Sequence, residues 1–245
     1  MMPFSPRPPK PSSVRQPGLS RTHSITIGGI KAVPHLSGAL YLGDERVLLV
    51  ADLHLEQGAS LARRGLHLPP YDTLDTLNAL EQVIAEVDAR RLILLGDSFH
   101  DRVAHEALSE DVAVRLKTLT AKTETIWISG NHDPVAHDVV GGRCAEEVAL
   151  GPLTLRHIPK RGLKSSFEIS GHLHPGATIE QRGVSVRTKC FVSDGQRLIL
   201  PAFGRYTGAM AVTSSAFIGL FDAPATHVWM IGNGVMHKFP LSRVR

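Results

Sequence analysis

The sequence Thr125-Ile126-Trp127-Ile128-Ser129-Gly130-Asn131-His132-Asp133 predicts how the chain folds and where it binds a ligand. Its apolar run is typical of a buried strand, which Gly130 ends in a turn. Ligands of open α/β sheets bind beyond the carboxyl ends of the strands, where Asn131, His132 and Asp133 would lie. Asn131 offers a neutral oxygen ligand, and His132 offers a proton donor that titrates near neutrality. Taken alone, the tetrapeptide Gly130-Asn131-His132-Asp133 is also compatible with an ordinary turn.

Two more apolar runs come earlier in the chain and end in the same kind of residue. Residues 46–51 lead into Asp52-Leu53-His54, and residues 91–95 lead into Gly96-Asp97. Helical patterns separate the three runs, one beginning at Asp72 as a predicted N-cap and one over residues 108–119. This alternation predicts a parallel sheet with right-handed crossovers. Short apolar stretches over residues 25–42 predict antiparallel edge strands before it, and residues 56–70 are predicted to form a loop.

The second half of the chain has a strand-rich pattern. Short strands are predicted at residues 153–157, 167–170, 184–192, 197–200, 211–218 and 228–231, although residues 209–221 are also compatible with a helix. The strand at 167–170 runs into Gly171-His172-Leu173-His174-Pro175, in which alternate side chains point the same way. We therefore expect two sheets packed face to face, with helices outside.

Length and composition predict one folded domain behind a tail. The chain has 245 residues, of which 42% are hydrophobic, enough to bury a core. Residues 1–23 hold six prolines and four basic residues but no acidic residue, which predicts a disordered basic tail before a single domain over residues 24–245. No apolar run approaches the roughly 20 residues that span a bilayer, and two cysteines fit a reducing compartment. We expect a cytoplasmic protein that does not associate with a membrane.

Charge is distributed unevenly along the domain. Residues 24–150 carry 11 Lys and Arg against 19 Asp and Glu, whereas residues 151–245 carry 12 against 4. This asymmetry suits an anionic partner lying across the basic half, and an ordinary uneven surface would give the same counts.

The polar residues at the predicted strand ends form a potential set of metal ligands. They are Asp52, His54, Asp97, Asn131, His157, His172 and His174. Carboxylate, amide and imidazole groups without a thiolate suit divalent Mn, Fe or Zn. Seven ligands are too many for one tetrahedral ion, so we expect two ions that share a carboxylate. Two ions roughly 3.5–4 Å apart can clamp a phosphoryl group and lower the pKa of a water molecule.

In this order, the motifs resemble those of the calcineurin-like metallophosphoesterases. The family signature is Asp-x-His, Gly-Asp, Gly-Asn-His-Asp/Glu, an isolated His and Gly-His-x-His, and it covers residues 47–175 here. The resemblance implies the calcineurin-like α/β fold, an α/β/β/α sandwich of two packed mixed β-sheets flanked by helices. It also implies two divalent metal ions, Mn²⁺ above all, with Fe or Zn as alternatives.

The same resemblance implies a role for each site residue. The first metal would be held by Asp52, His54 and His174, and the second by Asn131, His157 and His172. Asp97 would bridge the two ions. His132 would stabilise or protonate the leaving oxygen, and Asp133 would orient His132 by hydrogen bonding.

Further details resemble one bacterial subfamily, the ligase-associated DNA damage response endonucleases. They are Asp52-Leu-His-Leu-Glu56, Leu68-Pro-Pro-Tyr-Asp72, Gly96-Asp-Ser-Phe-His-Asp101, Gly171-His-Leu-His-Pro175 and Leu200-Pro-Ala-Phe-Gly204. This resemblance implies a DNA endonuclease of DNA repair that favours single-stranded or damaged DNA. It also implies functional association with a DNA ligase and a helicase, whereas the oligomeric state is not indicated.

Four further residues are predicted to contact the substrate. Arg156, Lys160 and Arg161 surround His157 and are suited to flanking phosphates, although a solvated loop would look the same. His100 follows Asp97 closely and is predicted to touch substrate or support the metal site, with simple packing as the alternative. Two other functions remain open at this point: a phosphodiesterase of small nucleotide-derived esters, and a non-enzymatic scaffold whose metal site has decayed.

Overall fold

The computed structural model describes residues 23–63, 65–66, 71–100, 108–132, 140–162 and 166–245. Two mixed β-sheets pack face to face, as the sequence predicts. Residues 1–22 of the predicted basic tail lie outside the described residues. Among the described residues, no helix combines the length and apolar character needed to cross a membrane.

The first sheet has its strands in chain order. They are β1 (Ile25–Ile27), β2 (Ile30–Pro34), β3 (Leu40–Leu42), β4 (Val47–Val50), β5 (Arg91–Leu95), β6 (Glu124–Ile128) and β7 (Arg143–Ala145). The pairs from β1 to β4 are antiparallel, and those from β4 to β7 are parallel. The carboxyl ends of β4, β5 and β6 therefore lie at one edge of the sheet.

The second sheet contains the remaining described strands. They are β8 (Glu147–Leu150), β9 (Leu153–Arg156), β10 (Phe167–Ser170), β11 (Pro175–Gln181), β12 (Val184–Ser193), β13 (Arg197–Ile199), β14 (Met210–Ala211), β15 (His227–Ile231) and β16 (Met236–Pro240). The order is β14-β11-β12-β13-β10-β9-β8, with β15 paired to β12 and β16 to β15. Strands β9, β10 and β13 run parallel, so β9 and β10 also end side by side.

The main core lies between the two sheets. Leu49, Ile93 and Ile126 of the first sheet pack in one buried cluster with Leu155 and Phe191 of the second. Burial of each such side chain contributes about 1.5–3 kcal/mol, so this cluster contributes substantially to the stability of the fold.

Three helices that the structure describes in full accompany the first sheet. They are α1 (Gln57–Arg63), α2 (Asp72–Val87) and α3 (Glu110–Lys122). Apolar residues of α2 and α3, such as Leu77 and Leu116, pack against the outer face of that sheet. On the outer face of the second sheet, the cluster around Val192 and Phe217 includes 3₁₀ turns rather than α-helices, within the part of the chain that the structure describes. The two-sheet sandwich is thus confirmed, with its helical layer on the first sheet.

Three local predictions were wrong. The segment 56–70 was predicted to be a loop, but it contains α1. Asp72 is not the N-cap of α2: Tyr71 holds that position, and Oδ2 of Asp72 accepts a hydrogen bond from the N–H of Gly58 (2.8 Å). The strand predicted at 211–218 is limited to β14 and then turns into a 3₁₀ helix at Ser215–Phe217. Its apolar residues pack as a turn against the outer cluster, a burial that periodicity does not distinguish from a strand.

Candidate metal centre

The predicted ligands meet where the strands of both sheets end. Asp52 and His54 follow β4, Asp97 follows β5, and Asn131 follows β6 of the first sheet. The second sheet contributes His157 after β9, and His172 and His174 after β10. The structure thus brings all seven side chains into one site, whose ligand roles remain predictions.

The first triad consists of Asp52, His54 and His174, whose ligand atoms all lie within 4.8 Å of one another. Oδ1 of Asp52 lies 3.3 Å from Nε2 of His174, and the Nε2 atoms of His54 and His174 are 3.4 Å apart. Asp52 is fully buried, and both its carboxylate oxygens accept the backbone N–H of His172 (3.2 and 2.9 Å). This N–H fixes the direction in which the carboxylate points.

The second triad consists of Asp97, His157 and His172, again within 4.8 Å of one another. Nε2 of His157 lies 3.3 Å from Oδ2 of Asp97 and 3.2 Å from Nδ1 of His172. The amide oxygen of Asn131 lies 2.9 Å from the same Nε2 atom, as expected of a fourth ligand. The two triads adjoin each other, since Nδ1 of His157 lies 3.8 Å from Oδ1 of Asp52.

The donor set of the second triad fits a divalent cation. The buried imidazole of His157 has Nδ1 2.8 Å from the carbonyl oxygen of Leu95, so Nδ1 carries the proton. In the neutral ring, Nε2 then presents a lone pair to the carboxylate of Asp97, an unfavourable contact that either a proton on Nε2 or a cation between the two atoms removes. A backbone carbonyl that fixes the tautomer in this way is the usual support of a metal-binding histidine.

The first triad passes a similar test. Nδ1 of His54 is buried, and the described residues give it no hydrogen-bond partner. The ligand atom of His54 lies within 4.8 Å of those of Asp52 and His174, close enough for one cation to contact all three side chains.

Burial and neighbouring charges shift the pKa values of three residues of the candidate centre. Burial lowers the pKa of His54 to about 4, so its ring is neutral at pH 7. Burial alone would raise the pKa of Asp97, but hydrogen bonds from His157 and from the N–H of His132 outweigh burial and lower that pKa to about 2. Burial also opposes the charged form of His157, yet the neighbouring carboxylate of Asp97 outweighs it and raises the pKa of His157. Both results reflect a strong attraction for positive charge beside Asp97.

The backbone at the site is unusual. Asp52, His54, Asp97, His172 and His174 all have positive φ angles, between 44° and 71°. L-residues adopt this region rarely, at a cost of about 1–3 kcal/mol each where the surrounding structure enforces it. Such strain gathers at functional sites because it directs side chains that a regular strand would point elsewhere.

Glycines at two strand ends allow the close packing. A Cβ atom on Gly96 would lie 2.4 Å from Nδ1 of His157, and one on Gly171 would lie 2.6 Å from Oδ2 of Asp52. Only a residue without a side chain leaves room for these two ligands. The glycines of the Gly-Asp and Gly-His-x-His motifs thus have a packing role as well as a turn role.

The predicted catalytic residue His132 lies at the exposed side of the centre. Its side chain is 47% exposed, and its backbone N–H donates to Oδ1 of Asp97 (2.9 Å). Its ring centroid is 5.6 Å from that of His54 and 6.0 Å from that of His100. His100 therefore lies close enough to take part in the site. Asp133 lies outside the described residues, and its role remains a prediction.

The three predicted phosphate contacts differ in their surroundings. Nε of Arg156 lies 3.2 Å from the buried carboxylate of Glu168, and the guanidinium of Arg161 donates to the carbonyl oxygens of Ala216 (3.2 Å) and Ile218 (2.5 Å). Lys160 is exposed at the surface. Their contact with substrate remains a prediction, and Arg161 is exposed as well as Lys160.

Sequence reasoning missed a loop that lies against the first triad, residues 202–210. The N–H of Gly204 donates to the carbonyl oxygen of Asp52 (3.1 Å), and the N–H of Met210 donates to that of His174 (2.8 Å). The motif ending in Gly204 had indicated the subfamily resemblance, but nothing in its composition indicated a contact with metal ligands.

A sandwich of two sheets with adjoining carboxylate–imidazole triads at its strand ends is typical of dinuclear metallohydrolases. The chain belongs to the calcineurin-like phosphoesterase family, whose model matches residues 45–192. Members of this family are phosphoester hydrolases with a dinuclear metal site, for which the two triads are the candidate ligands. A search among curated proteins found no significant match.

Solved structures include similar chains. The match to the crystal structure of the Pseudomonas putida nuclease MPE includes 89% of this chain and 99% of the MPE chain, with 28% sequence identity and a TM-score of 0.68. The match to the phosphoesterase Yfce from E. coli includes 80% of this chain and 98% of the Yfce chain, with 16% sequence identity and a TM-score of 0.41. The first similarity is consistent with the resemblance to ligase-associated endonucleases.

Proposed function

We propose that this protein is a dinuclear metal-dependent phosphodiesterase that cuts DNA internally, favouring single-stranded or damaged DNA. The observation that carries the proposal is the pair of adjoining triads, with His132 exposed beside them. Similarity to a nuclease along nearly the whole length of both chains supports DNA as the substrate.

The first ion would be held by Asp52, His54 and His174. The second would be held by Asn131, His157 and His172, with the carboxylate of Asp97 shared between the ions. When bound, the two ions would supply charge stabilisation at the phosphoryl group and an activated water. Mn²⁺ suits the mixture of carboxylate, amide and imidazole ligands, and Fe or Zn would also bind such a set.

The role proposed for His132 is to protonate the leaving oxygen. Its exposed ring faces the open side of the centre, while its backbone N–H is held by the carboxylate of Asp97. A proton donor in this position prevents the departing sugar oxygen from leaving as a full alkoxide. Asp133 would orient the imidazole, as carboxylates do in other catalytic pairs.

Positive charge beside the centre supports a polyanionic substrate. Residues 151–245 carry 12 Lys and Arg against 4 Asp and Glu, and Lys160 is exposed three residues after His157. His100, which neighbours both His54 and His132, would contact the phosphate or a nucleotide next to the cleaved bond. The subfamily resemblance further suggests action in the cytoplasm beside a DNA ligase and a helicase.

The proposal is tested with circular single-stranded DNA, which has no ends and is linearised only by internal cleavage. Metal-stripped protein with Mn²⁺ added back should linearise the circle and also hydrolyse bis-p-nitrophenyl phosphate. His132→Ala should lose the DNA activity, whereas His237→Ala, a change of an exposed histidine on β16, should retain it. Cleavage of the small diester alone would mean that the substrate is a small ester and not DNA.

A further inference from the structure

Lys189 lies in β12, and its ammonium group is directed into the 202–210 loop. Nζ donates hydrogen bonds to the carbonyl oxygens of Ala202 (2.8 Å) and Gly204 (3.0 Å) and to Oγ1 of Thr207 (2.9 Å). An ammonium group has three N–H donors, so a single loop accepts all of them. Burial, followed by the charge of Arg205, lowers the pKa of Lys189 to about 8, as expected for an ammonium group held inside the protein.

The 202–210 loop is in turn bonded to the backbone of two members of the first triad, Asp52 and His174. The N–H groups of Phe203 and Gly204 donate to the carbonyl oxygens of Ala51 (2.9 Å) and Asp52 (3.1 Å). At the other end of the loop, the N–H of Met210 donates to the carbonyl oxygen of His174 (2.8 Å). The loop therefore ties the turn containing Asp52 and His54 in one sheet to His174 in the other.

Close packing makes this connection stiff. A Cβ atom on Gly204 would lie 2.3 Å from the carbonyl oxygen of Leu53, between the two ligands of that turn. A Cβ atom on Gly176, two residues after His174, would lie 2.7 Å from Cβ of Ala209. Gly176 is also the residue that pairs with Lys189 across β11 and β12, so lysine, loop and triad form one packed unit.

Two members of the second triad, Asp97 and His157, are held by other parts of the chain, whereas the N–H of the third, His172, donates to the carboxylate of Asp52. Nδ1 of His157 bonds the carbonyl oxygen of Leu95, and the carbonyl oxygen of His157 accepts the N–H of Gly171 (3.1 Å). Asp97 is held by the N–H of His132. A change that loosens the 202–210 loop should therefore affect the two triads unequally.

We propose that Lys189 is a positioning residue for the first metal site: by holding the 202–210 loop, it keeps Asp52, His54 and His174 in their ligating arrangement. The inference rests on the proposed dinuclear centre. Asp52, His54 and His174 have positive φ angles and need outside support to keep them. Without the three hydrogen bonds from Lys189, the loop loses its anchor, and these residues can relax away from the common point that they face.

The test is a titration of metal-stripped protein with Mn²⁺. Calorimetry measures the affinity of each site, and elemental analysis measures the bound metal. Lys189→Met keeps the length and apolar stem of the side chain but removes its donors. We expect the affinity of one of the two sites to fall about 10- to 100-fold, the range seen when groups supporting metal ligands are removed. Lys189→Arg, which retains charge and donors, should recover part of that loss.

Ligand variants identify the affected site. In a His172→Ala background the remaining ion should occupy the first triad, and Lys189→Met should weaken its binding. In a His174→Ala background the remaining ion should occupy the second triad, and Lys189→Met should weaken its binding much less, since only His172 of that triad is bonded to Asp52. Equal losses in both backgrounds, or no loss in the first, would overturn the proposal.

Two controls separate positioning from general damage. Thr226→Val removes a fully buried hydroxyl that donates to the carbonyl oxygen of Asp222, and it should leave both affinities unchanged at matched thermal stability. If Lys189→Met does not fold, Thr207→Val removes one of the three acceptors and should weaken the first site by a smaller factor. Saturating Mn²⁺ should restore hydrolysis of bis-p-nitrophenyl phosphate by Lys189→Met, which a merely misfolded variant would not show. A wild-type protein that binds fewer than two Mn²⁺ ions would instead refute the dinuclear centre of the proposed function.

Discussion

Oδ2 of Asp97, at the end of β5 in the first sheet, lies 3.3 Å from Nε2 of His157, at the end of β9 in the second. This contact joins the two sheets at the edge where the candidate metal centre lies. Because each candidate ion would take ligands from both sheets, metal binding and sheet packing are coupled.

Metal removal should therefore lower the thermal stability of the whole domain. Free Mn²⁺ at about 100 times its dissociation constant stabilises a one-site protein by about 2.7 kcal/mol, and each kcal/mol shifts the Tm of a domain of this size by about 2–4 °C. We expect the Tm to rise by several degrees when Mn²⁺ is added to chelator-treated protein in differential scanning fluorimetry. An unchanged Tm across the Mn²⁺ titration would argue against ligation from both sheets.

Asp97→Asn should reduce the binding of both ions, because it removes the negative charge that both are proposed to share. Elemental analysis should find clearly fewer than two Mn²⁺ ions per chain in this variant. Asp222→Asn, which changes an exposed carboxylate near β15, serves as the matched control. Two ions in the Asp97 variant would contradict its bridging role.

His132→Ala should affect substrates according to their leaving groups. With DNA, whose leaving oxygen is strongly basic, we expect kcat to fall about 10²- to 10⁴-fold, the usual contribution of a general acid. With bis-p-nitrophenyl phosphate, whose leaving group needs little protonation, the loss should be much smaller. Steady-state rates on both substrates measure the ratio, and equal losses would show that His132 does not act as the acid.

Gly96→Ala should destabilise the protein and disturb the second triad. The added Cβ atom would meet the ring of His157 at 2.4 Å, in addition to the strain of a positive φ angle of 79°. Gly195→Ala provides a matched control, since Gly195 has a φ angle of 89° and open space around the added Cβ. Backbone strain alone should cost Gly195→Ala roughly 1 kcal/mol or more of the free energy of unfolding. Urea unfolding should give a larger loss for Gly96→Ala. Similar losses for both would mean that His157 yields to the added methyl group.

Lys160→Ala should weaken DNA binding by removing one phosphate contact. The slope of log K against log salt concentration should become smaller by about one unit, with the same effect on every DNA sequence. Lys238→Ala, which removes a cation located over the ring of Trp229, should leave the slope unchanged. An unchanged slope for the Lys160 variant would remove this residue from the DNA interface.

The residues of the candidate metal centre could be predicted to lie together because each follows an apolar strand or belongs to a specific motif, although their ligand roles remain predictions. Val47–Val50, Arg91–Leu95 and Glu124–Ile128 have continuous apolar patterns, and parallel strands bring their ends together without further information. His157 ends the predicted strand at 153–157, and the family resemblance gave a role to what is otherwise an isolated histidine in a basic segment. For these residues, local pattern and tertiary contact agree.

Other features depend on contacts between distant parts of the chain and could not be predicted. Lys189 looks like one polar residue in a strand, and only the structure shows its three acceptors in the 202–210 loop. The turn after β14 has an apolar sequence that also suits a strand, because burial in the outer cluster requires apolar residues in either conformation. The positive φ angles of the ligands likewise follow from tertiary hydrogen bonds rather than from residue type.

The first triad draws on residues that the ribosome makes at widely different times. The N–H of His172 bonds the carboxylate of Asp52 across 120 positions of sequence, and the 202–210 loop follows later still. At about 5–20 residues per second, Asp52 emerges roughly 6–24 s before its partner during synthesis. A nascent chain therefore passes through a period in which the first ligands exist without the segments that shape them. Assembly of the first triad is consequently a late event in biogenesis, completed only in a polypeptide whose synthesis has passed residue 210.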